Sequence, residues 1–131
     1  MLAVAAVGLL AVAPVSAQEE EKPYSIVDGK VDKATYNGWR RYHASCHTCH
    51  GPDGLGGSYA PNLVESLQRL SYDEYAEVVI NGRQNVSATA QNVMPAFGTN
   101  EDVALYLDDI YAYLKARADG ALDRGRPERQ Q

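Results

Sequence analysis

Cys46, Cys49 and His50 are the residues whose types and spacing point most directly to chemistry. They stand in the run Cys46-His47-Thr48-Cys49-His50, a C-x-x-C-H pattern. On one turn of helix, side chains at i, i+3 and i+4 lie on one side. Two thiols so placed can each form a thioether with a porphyrin vinyl group, which brings the adjacent imidazole to the iron. The pattern is that of haem c attachment. Three other readings use the same residues. A thioredoxin-like redox pair needs a βαβ context, and no strand pattern is visible in the sequence. A disulfide across one turn closes too short a loop to constrain the unfolded chain much. Half a zinc site would need a second cysteine pair or a distant histidine to complete a tetrahedron, and His43 and His47 lie in the same segment as His50. Haem attachment is the reading the residues favour.

An iron held by His50 has a second axial position. Only two methionines occur, Met1 and Met94. Met94 precedes Pro95, which biases it towards an extended backbone and takes away a competing N–H. It falls in a long stretch rich in polar residues that is able to cross the far face of a porphyrin. A lone methionine is more ordinarily core filler. With haem present, Met94 is the natural sixth ligand. His/Met ligation raises the reduction potential and suits electron transfer. With both axial positions filled, the iron offers a small substrate no open site. A sensor or peroxidase-like enzyme would require one.

Four stretches surround these residues. Residues 1–17 carry no charge, run through Leu, Ala and Val, and end in Pro14-Val15-Ser16-Ala17 before three glutamates. This is expected to be a signal peptide that directs the chain to the periplasm. The apolar run is too short for a membrane span, so no stable membrane insertion is expected after cleavage. Residues 18–31 read as a flexible arm, residues 32–118 as the cofactor domain and residues 119–131 as a C-terminal tail.

Within the domain, Asp32 is a good N-cap for a helix reaching about Cys49. Gly51 to Leu63 is rich in Gly and Pro and reads as a loop. A short helix is expected over Leu63–Arg69. Ser71-Tyr72-Asp73-Glu74 is a capping box for a helix to about Ile80, stopped at Asn81-Gly82. Arg83 to Gly98 reads as a second loop. A last helix begins near Thr99-Asn100-Glu101-Asp102, with Val103, Leu107, Ile110 and Leu114 at helical spacing. The expected class is all-α, with three to five helices and long loops around one covalently bound haem. The formal net charge of −5 argues against a nucleic-acid partner.

The sequence resembles class I cytochromes c. Gly38-x-x-x-Tyr42-x-x-x-Cys46 is similar to the family's first helix, and Ile110 with Tyr113-Leu114 to its last. The resemblance implies that these helices cross closely, with Gly38 and Tyr42 against Ile110 and Tyr113. It also implies that a proline carbonyl, here that of Pro61, accepts a hydrogen bond from the axial His50. Such a bond orients the ring and tunes the metal.

A narrower resemblance rests on Gly29-Lys30-Val31-Asp32, Tyr36-Asn37-Gly38-Trp39-Arg40-Arg41-Tyr42, Met94-Pro95-Ala96-Phe97-Gly98-Thr99, Asp109 to Arg117 and the tail Asp119 to Pro127. These look like the cytochrome c electron acceptors of PQQ-dependent methanol and alcohol dehydrogenases, including the lanthanide-dependent enzymes. The implied role is an electron carrier, not an enzyme. It would take single electrons from such a dehydrogenase and pass them to a downstream cytochrome c or oxidase. The alternative is a general shuttle between a membrane respiratory complex and an oxidase. Docking is expected at Gly54–Ser58 and Met94–Phe97, with Trp39, Tyr59 or Arg83 near the haem or its propionates. The tail also reads as a plain solvated extension.

Overall fold

The computed structural model describes residues 21–86 and 91–131. The expected leader and residues 18–20 of the expected arm lie outside the described residues. In chain order, strands β1 (Ile26–Val27) and β2 (Lys30–Val31) form an antiparallel hairpin. Helix α1 (Lys33–Ser45) follows, then the one-turn helix α2 (His47–His50) and a tight 3-10 turn over Pro52–Gly54. Next come α3 (Leu63–Ser66), α4 (Tyr72–Asn81) and a second hairpin of β3 (Arg83–Val86) and β4 (Gln91–Met94). The chain ends with α5 (Glu101–Ala104), α6 (Leu107–Ala118) and β5 (Glu128–Arg129), which pairs parallel with β2.

The helix starts are set locally. The Asp32 carboxylate accepts from Thr35 N at 3.0 Å, Thr35 Oγ1 at 2.7 Å and Ser25 N at 2.7 Å. Ser71 and Glu74 make the reciprocal capping box at the head of α4. Asn62 and Asn100 cap α3 and α5 with their side-chain oxygens. Each cap satisfies N–H groups that have no partner inside the helix.

The core is the crossing of α1 and α6. Tyr42, Leu67, Val103, Ile110 and Tyr113 are buried there. The rings of Tyr42 and Tyr113 lie 5.5 Å apart, as the Gly38/Tyr42–Ile110/Tyr113 expectation requires. Gly38 is buried where the helices touch, and a Cβ added to it would sit 1.8 Å from the Asp109 carbonyl oxygen. Asn37 Nδ2 donates to Asp109 Oδ2 at 2.7 Å beside the same contact. Burying two tyrosines at the crossing contributes about 1.5–3 kcal/mol apiece in transfer free energy.

The structure corrects the sequence reading at several points. The expected first helix breaks at Cys46 (φ −109°) into α1 and α2. The expected last helix breaks at Leu105–Tyr106 into α5 and α6. The described residues thus hold six helical segments, three of a single turn. Strands occur where none was expected. Part of the expected arm, Ile26–Val31, is a hairpin whose Asp28-Gly29 turn has φ of 51° and 74°. Two-residue hairpin turns favour this Asp-Gly pair because both residues must adopt positive φ. Part of the second expected loop is the β3–β4 pair, with Arg83 opposite Met94. The tail is not a plain solvated extension, because β5 joins the first sheet and Pro127 is buried.

Candidate functional site

Cys46, Cys49 and His50 occupy one continuous turn. Cys46 N–H still donates to the Tyr42 carbonyl at 2.8 Å, and His50 N–H donates to the Cys46 carbonyl at 3.0 Å. The turn therefore carries α1's hydrogen-bond ladder onward while its axis shifts. Cys46 and Cys49 are not joined in a disulfide. Burial, and then the neighbouring Cys49, push the Cys46 thiol up to about 11. Among the described residues, no group of three or more His, Cys, Asp or Glu side chains is placed to hold a metal ion on its own.

His50 is 7 % exposed. Its Nδ1–H donates to the Pro61 carbonyl at 3.1 Å. Burial lowers its pKa, and the Pro61 bond offsets that only in part. With Nδ1–H committed to the Pro61 carbonyl, Nε2 is the ring nitrogen left to bind a metal. That is the form an axial imidazole must have. The Tyr42 hydroxyl donates to the Gly51 carbonyl at 2.6 Å, tying the residue after His50 back to α1. Leu63, Val64, Leu70, Val79, Ile80 and Phe97 are apolar side chains that the polypeptide alone covers only in part. Two cysteines on one turn, an imidazole oriented by Pro61 and half-covered apolar side chains fit a flat, largely apolar, covalently held haem.

Met94 is on a different element, at the end of β4. Its segment is tied to the C-terminus of α4 by Phe97 N–H to the Val79 carbonyl at 2.9 Å and Gly98 N–H to the Ile80 carbonyl at 3.1 Å. Gly82, the residue after α4, has φ 75°, and a Cβ there would lie 2.6 Å from the Met94 carbonyl oxygen. Backbone packs on backbone at this point, which leaves room for no side chain. Met94 is half-buried and Val93 is 62 % exposed.

Asp53, three residues after His50, is a functional anchor that the sequence reading passed over. It is 6 % exposed and has φ 58°. Its carboxylate accepts from Gly125 N–H at 3.0 Å and Arg124 Nε at 3.3 Å. Its carbonyl accepts from Arg117 Nε at 3.3 Å, and Arg117 Nη1 donates to the Leu122 carbonyl at 2.6 Å. Its own N–H donates to His43 Nε2 at 3.3 Å, while His43 Nδ1–H donates to the Trp39 carbonyl at 2.8 Å. One carboxylate thus straps the tail onto the loop behind the thiol turn. The signal in the sequence was Pro52-Asp53-Gly54, since Asp is among the few residues that tolerate positive φ.

Burial alone would raise the Asp53 pKa. The Gly125 and Arg124 hydrogen bonds, with the fields of Arg117 and His43, outweigh it and hold the group below the usual carboxylate range. A depressed folded pKa contributes stability above the unfolded value of about 4, and that stability is lost as pH falls through the folded value. Asp53→Asn is expected to cost about 1–3 kcal/mol at pH 7. Guanidinium unfolding from pH 7 to pH 2 should show its deficit shrinking as the wild-type carboxylate protonates. A deficit that does not change with pH would mean the strap works without the charge.

Tyr59 is 75 % exposed, and Arg83 lies exposed on β3 opposite Met94. Trp39 on α1 is half-buried against the core, between Tyr36 at 5.5 Å and His43 at 5.3 Å, centroid to centroid. His47, exposed, continues the row 5.5 Å beyond His43. Among the described residues no helix is long and apolar enough to cross a membrane.

Residues 33–114 match the family described as Cytochrome C oxidase, cbb3-type, subunit III. Cytochrome c-553I of Paracoccus denitrificans is 51 % identical over 114 residues, which are 86 % of this chain and 50 % of that protein. The chain therefore spans half the length of that relative. Cytochrome c-555 of Methylococcus capsulatus is 45 % identical over 102 residues, covering 77 % of this chain and 76 % of that one. The crystal structure of the c-type cytochrome XoxG from Methylobacterium extorquens AM1 superposes with a TM-score of 0.73 at 45 % identity, over 88 % of this chain and 78 % of that one. The chain belongs to the class I cytochrome c family, with a covalent haem c held through Cys46 and Cys49.

Proposed function

We propose that this cytochrome takes single electrons from a PQQ-dependent methanol or alcohol dehydrogenase in the periplasm and passes them to a downstream cytochrome c or a terminal oxidase. The observation that carries the electron-transfer part is the turn Cys46–His50, where two cysteines stand beside an imidazole whose Nδ1 is held by the Pro61 carbonyl. When bound, haem c supplies a one-electron couple between ferrous and ferric iron. His50 Nε2 is the proximal ligand in this reading, and the Pro61 carbonyl holds its ring in one tautomer and one orientation. Met94, whose backbone is seated against Gly82, would hold the iron through its thioether sulfur. Ligation by both His50 and Met94 would keep small molecules off the metal, which separates a carrier from an oxygen- or peroxide-activating site.

The dehydrogenase partner is supported by the segments quoted above and by the 45 % identity to the c-type cytochrome XoxG. The test mixes purified, substrate-reduced quinoprotein methanol dehydrogenase with the oxidised, haem-loaded cytochrome in a stopped-flow spectrometer. Haem reduction at least as fast as dehydrogenase turnover is the expected result. Reduction that lags turnover would remove this donor while leaving the carrier role intact.

A further inference from the structure

The tail is the motif that electron carriage through Cys46–His50 leaves without a task. It contributes Arg126, Pro127, Glu128, Arg129 and Gln131 to a cavity of about 660 Å³ that Lys30 and Tyr36 complete. Tyr36 forms an aromatic wall. Its hydroxyl accepts from Arg126 Nε at 3.0 Å and Nη2 at 2.6 Å, and Arg129 stands over its ring at 5.7 Å from the centroid. Arg126 also lies 5.7 Å from the Trp39 ring centroid. Two donors of the Arg126 fork are thus committed to a neutral hydroxyl, which holds the guanidinium in place without neutralising it. Among the described residues the ion pairs are Arg41–Asp102, Lys115–Asp119 and Arg124–Asp53, with His43 near Asp53. None of them uses Lys30, Arg126 or Arg129. Lys30, Arg126 and Arg129 outnumber the one acidic side chain of the lining, Glu128, in a chain of net charge −5.

We propose that this tail-built basic pocket is a second docking surface, one that accepts the acidic side chains of a protein partner of the cytochrome. The pocket begins at Tyr36, ten residues before Cys46, or about 15 Å away along α1 at 1.5 Å per residue. Arg126 and Arg129 are exposed at its mouth, where the carboxylates of a partner surface can reach them. A small ligand is usually enclosed to a far greater extent. Arginine held against aromatic rings presents its remaining donors in the fork geometry that suits carboxylates. The row Tyr36–Trp39–His43–His47 runs from this pocket to the thiol turn with successive centroids 5.5, 5.3 and 5.5 Å apart. The inference rests on the reading of the chain as a carrier between protein partners.

The test titrates the reduced, haem-loaded protein with a hexaglutamate peptide and follows backbone amide resonances. Shifts should concentrate at Lys30, Tyr36, Arg126, Glu128 and Arg129. Apparent affinity should fall about tenfold between about 20 mM and about 200 mM NaCl, since exposed charges are screened over that range. The double variant Arg126→Gln, Arg129→Gln should bind about tenfold more weakly with its haem spectrum unchanged. Because Arg126 also holds Tyr36, Arg129→Gln alone provides the variant that leaves that contact intact, and it should weaken binding several-fold. Shifts confined to Met94–Phe97, or absent altogether, would overturn the proposal. So would inorganic phosphate binding as tightly as the peptide, phosphatidylglycerol vesicles binding more tightly, or self-association that Arg129→Gln abolishes. If the peptide binds as described but no dehydrogenase reduces the haem, the donor assignment fails and the docking surface stands.

Discussion

Met94→His is expected to keep haem c attached at Cys46 and Cys49 and to lower the reduction potential by on the order of 100 mV or more. A thioether is a soft ligand that favours ferrous iron, and His/Met ligation lies at the high end of the range set by axial ligands. A second imidazole donates more strongly and favours ferric iron. At about 59 mV per tenfold for a one-electron couple, such a drop shifts the electron equilibrium with any partner by roughly fiftyfold or more. Spectroelectrochemical titration reads the potential. Met94→Ala should abolish the weak red absorption band that methionine–iron bonding gives the ferric protein, and should admit carbon monoxide to the ferrous one. An unchanged potential together with a retained band would remove Met94 as the ligand. Gly82→Ala supplies the structural counterpart. Its Cβ meets the Met94 carbonyl oxygen at 2.6 Å and Ala96 N at 2.9 Å, at φ 75°. The Met94 segment must move, so the same band should weaken although no ligand has been replaced.

Gly38→Ala should be the most destabilising single-methyl change in the chain, costing about 3 kcal/mol or more. The new carbon would lie 1.8 Å from Asp109 O, 2.5 Å from Asp109 C and 3.0 Å from Ile110 N. All three are backbone atoms of α6, so no side-chain rotation relieves the overlap and the helices must separate. Separation would loosen the Tyr42–Tyr113 ring contact and the Asn37–Asp109 hydrogen bond together. Ile110→Val, which only deletes a methylene at the same crossing, provides the scale at about 0.5–1.5 kcal/mol. Guanidinium unfolding of the haem-loaded proteins, followed by helix dichroism, measures both. A Gly38→Ala cost no larger than that of Ile110→Val would mean that the helices do not approach as closely as described.

The two changes act on features of very different legibility. The thiol turn was readable because its information lies within five consecutive residues whose helical spacing fixes which side chains share a side. The caps at Asp32 and Ser71–Glu74 were readable for the same reason, since each satisfies N–H groups up to three residues away. The Asp28-Gly29 hairpin carried a local signal as well, and it was overlooked because its strands are only two residues long and show no alternation. The breaks at Cys46 and Leu105–Tyr106 carried none. Helical periodicity runs through both positions, although Cys46 has φ −109° and Tyr106 has φ −120°.

Sequence by itself determined the chemistry of this protein: which thiols attach the cofactor, which imidazole stands beside them, and which segments begin helices. Each of these depends on neighbours within a turn or two. Tertiary structure alone decided where the tail goes, that Asp53 is its anchor, and that Tyr36, Arg126 and Arg129 meet. The bonds from Asp53 to Arg124 and Gly125 span 71 and 72 positions, and the bond from Arg126 to Tyr36 spans 90. Polar side chains that pair across such separations leave no period in the sequence, because they carry no repeating burial. They become partners only once the α1–α6 crossing has brought the two ends of the chain together.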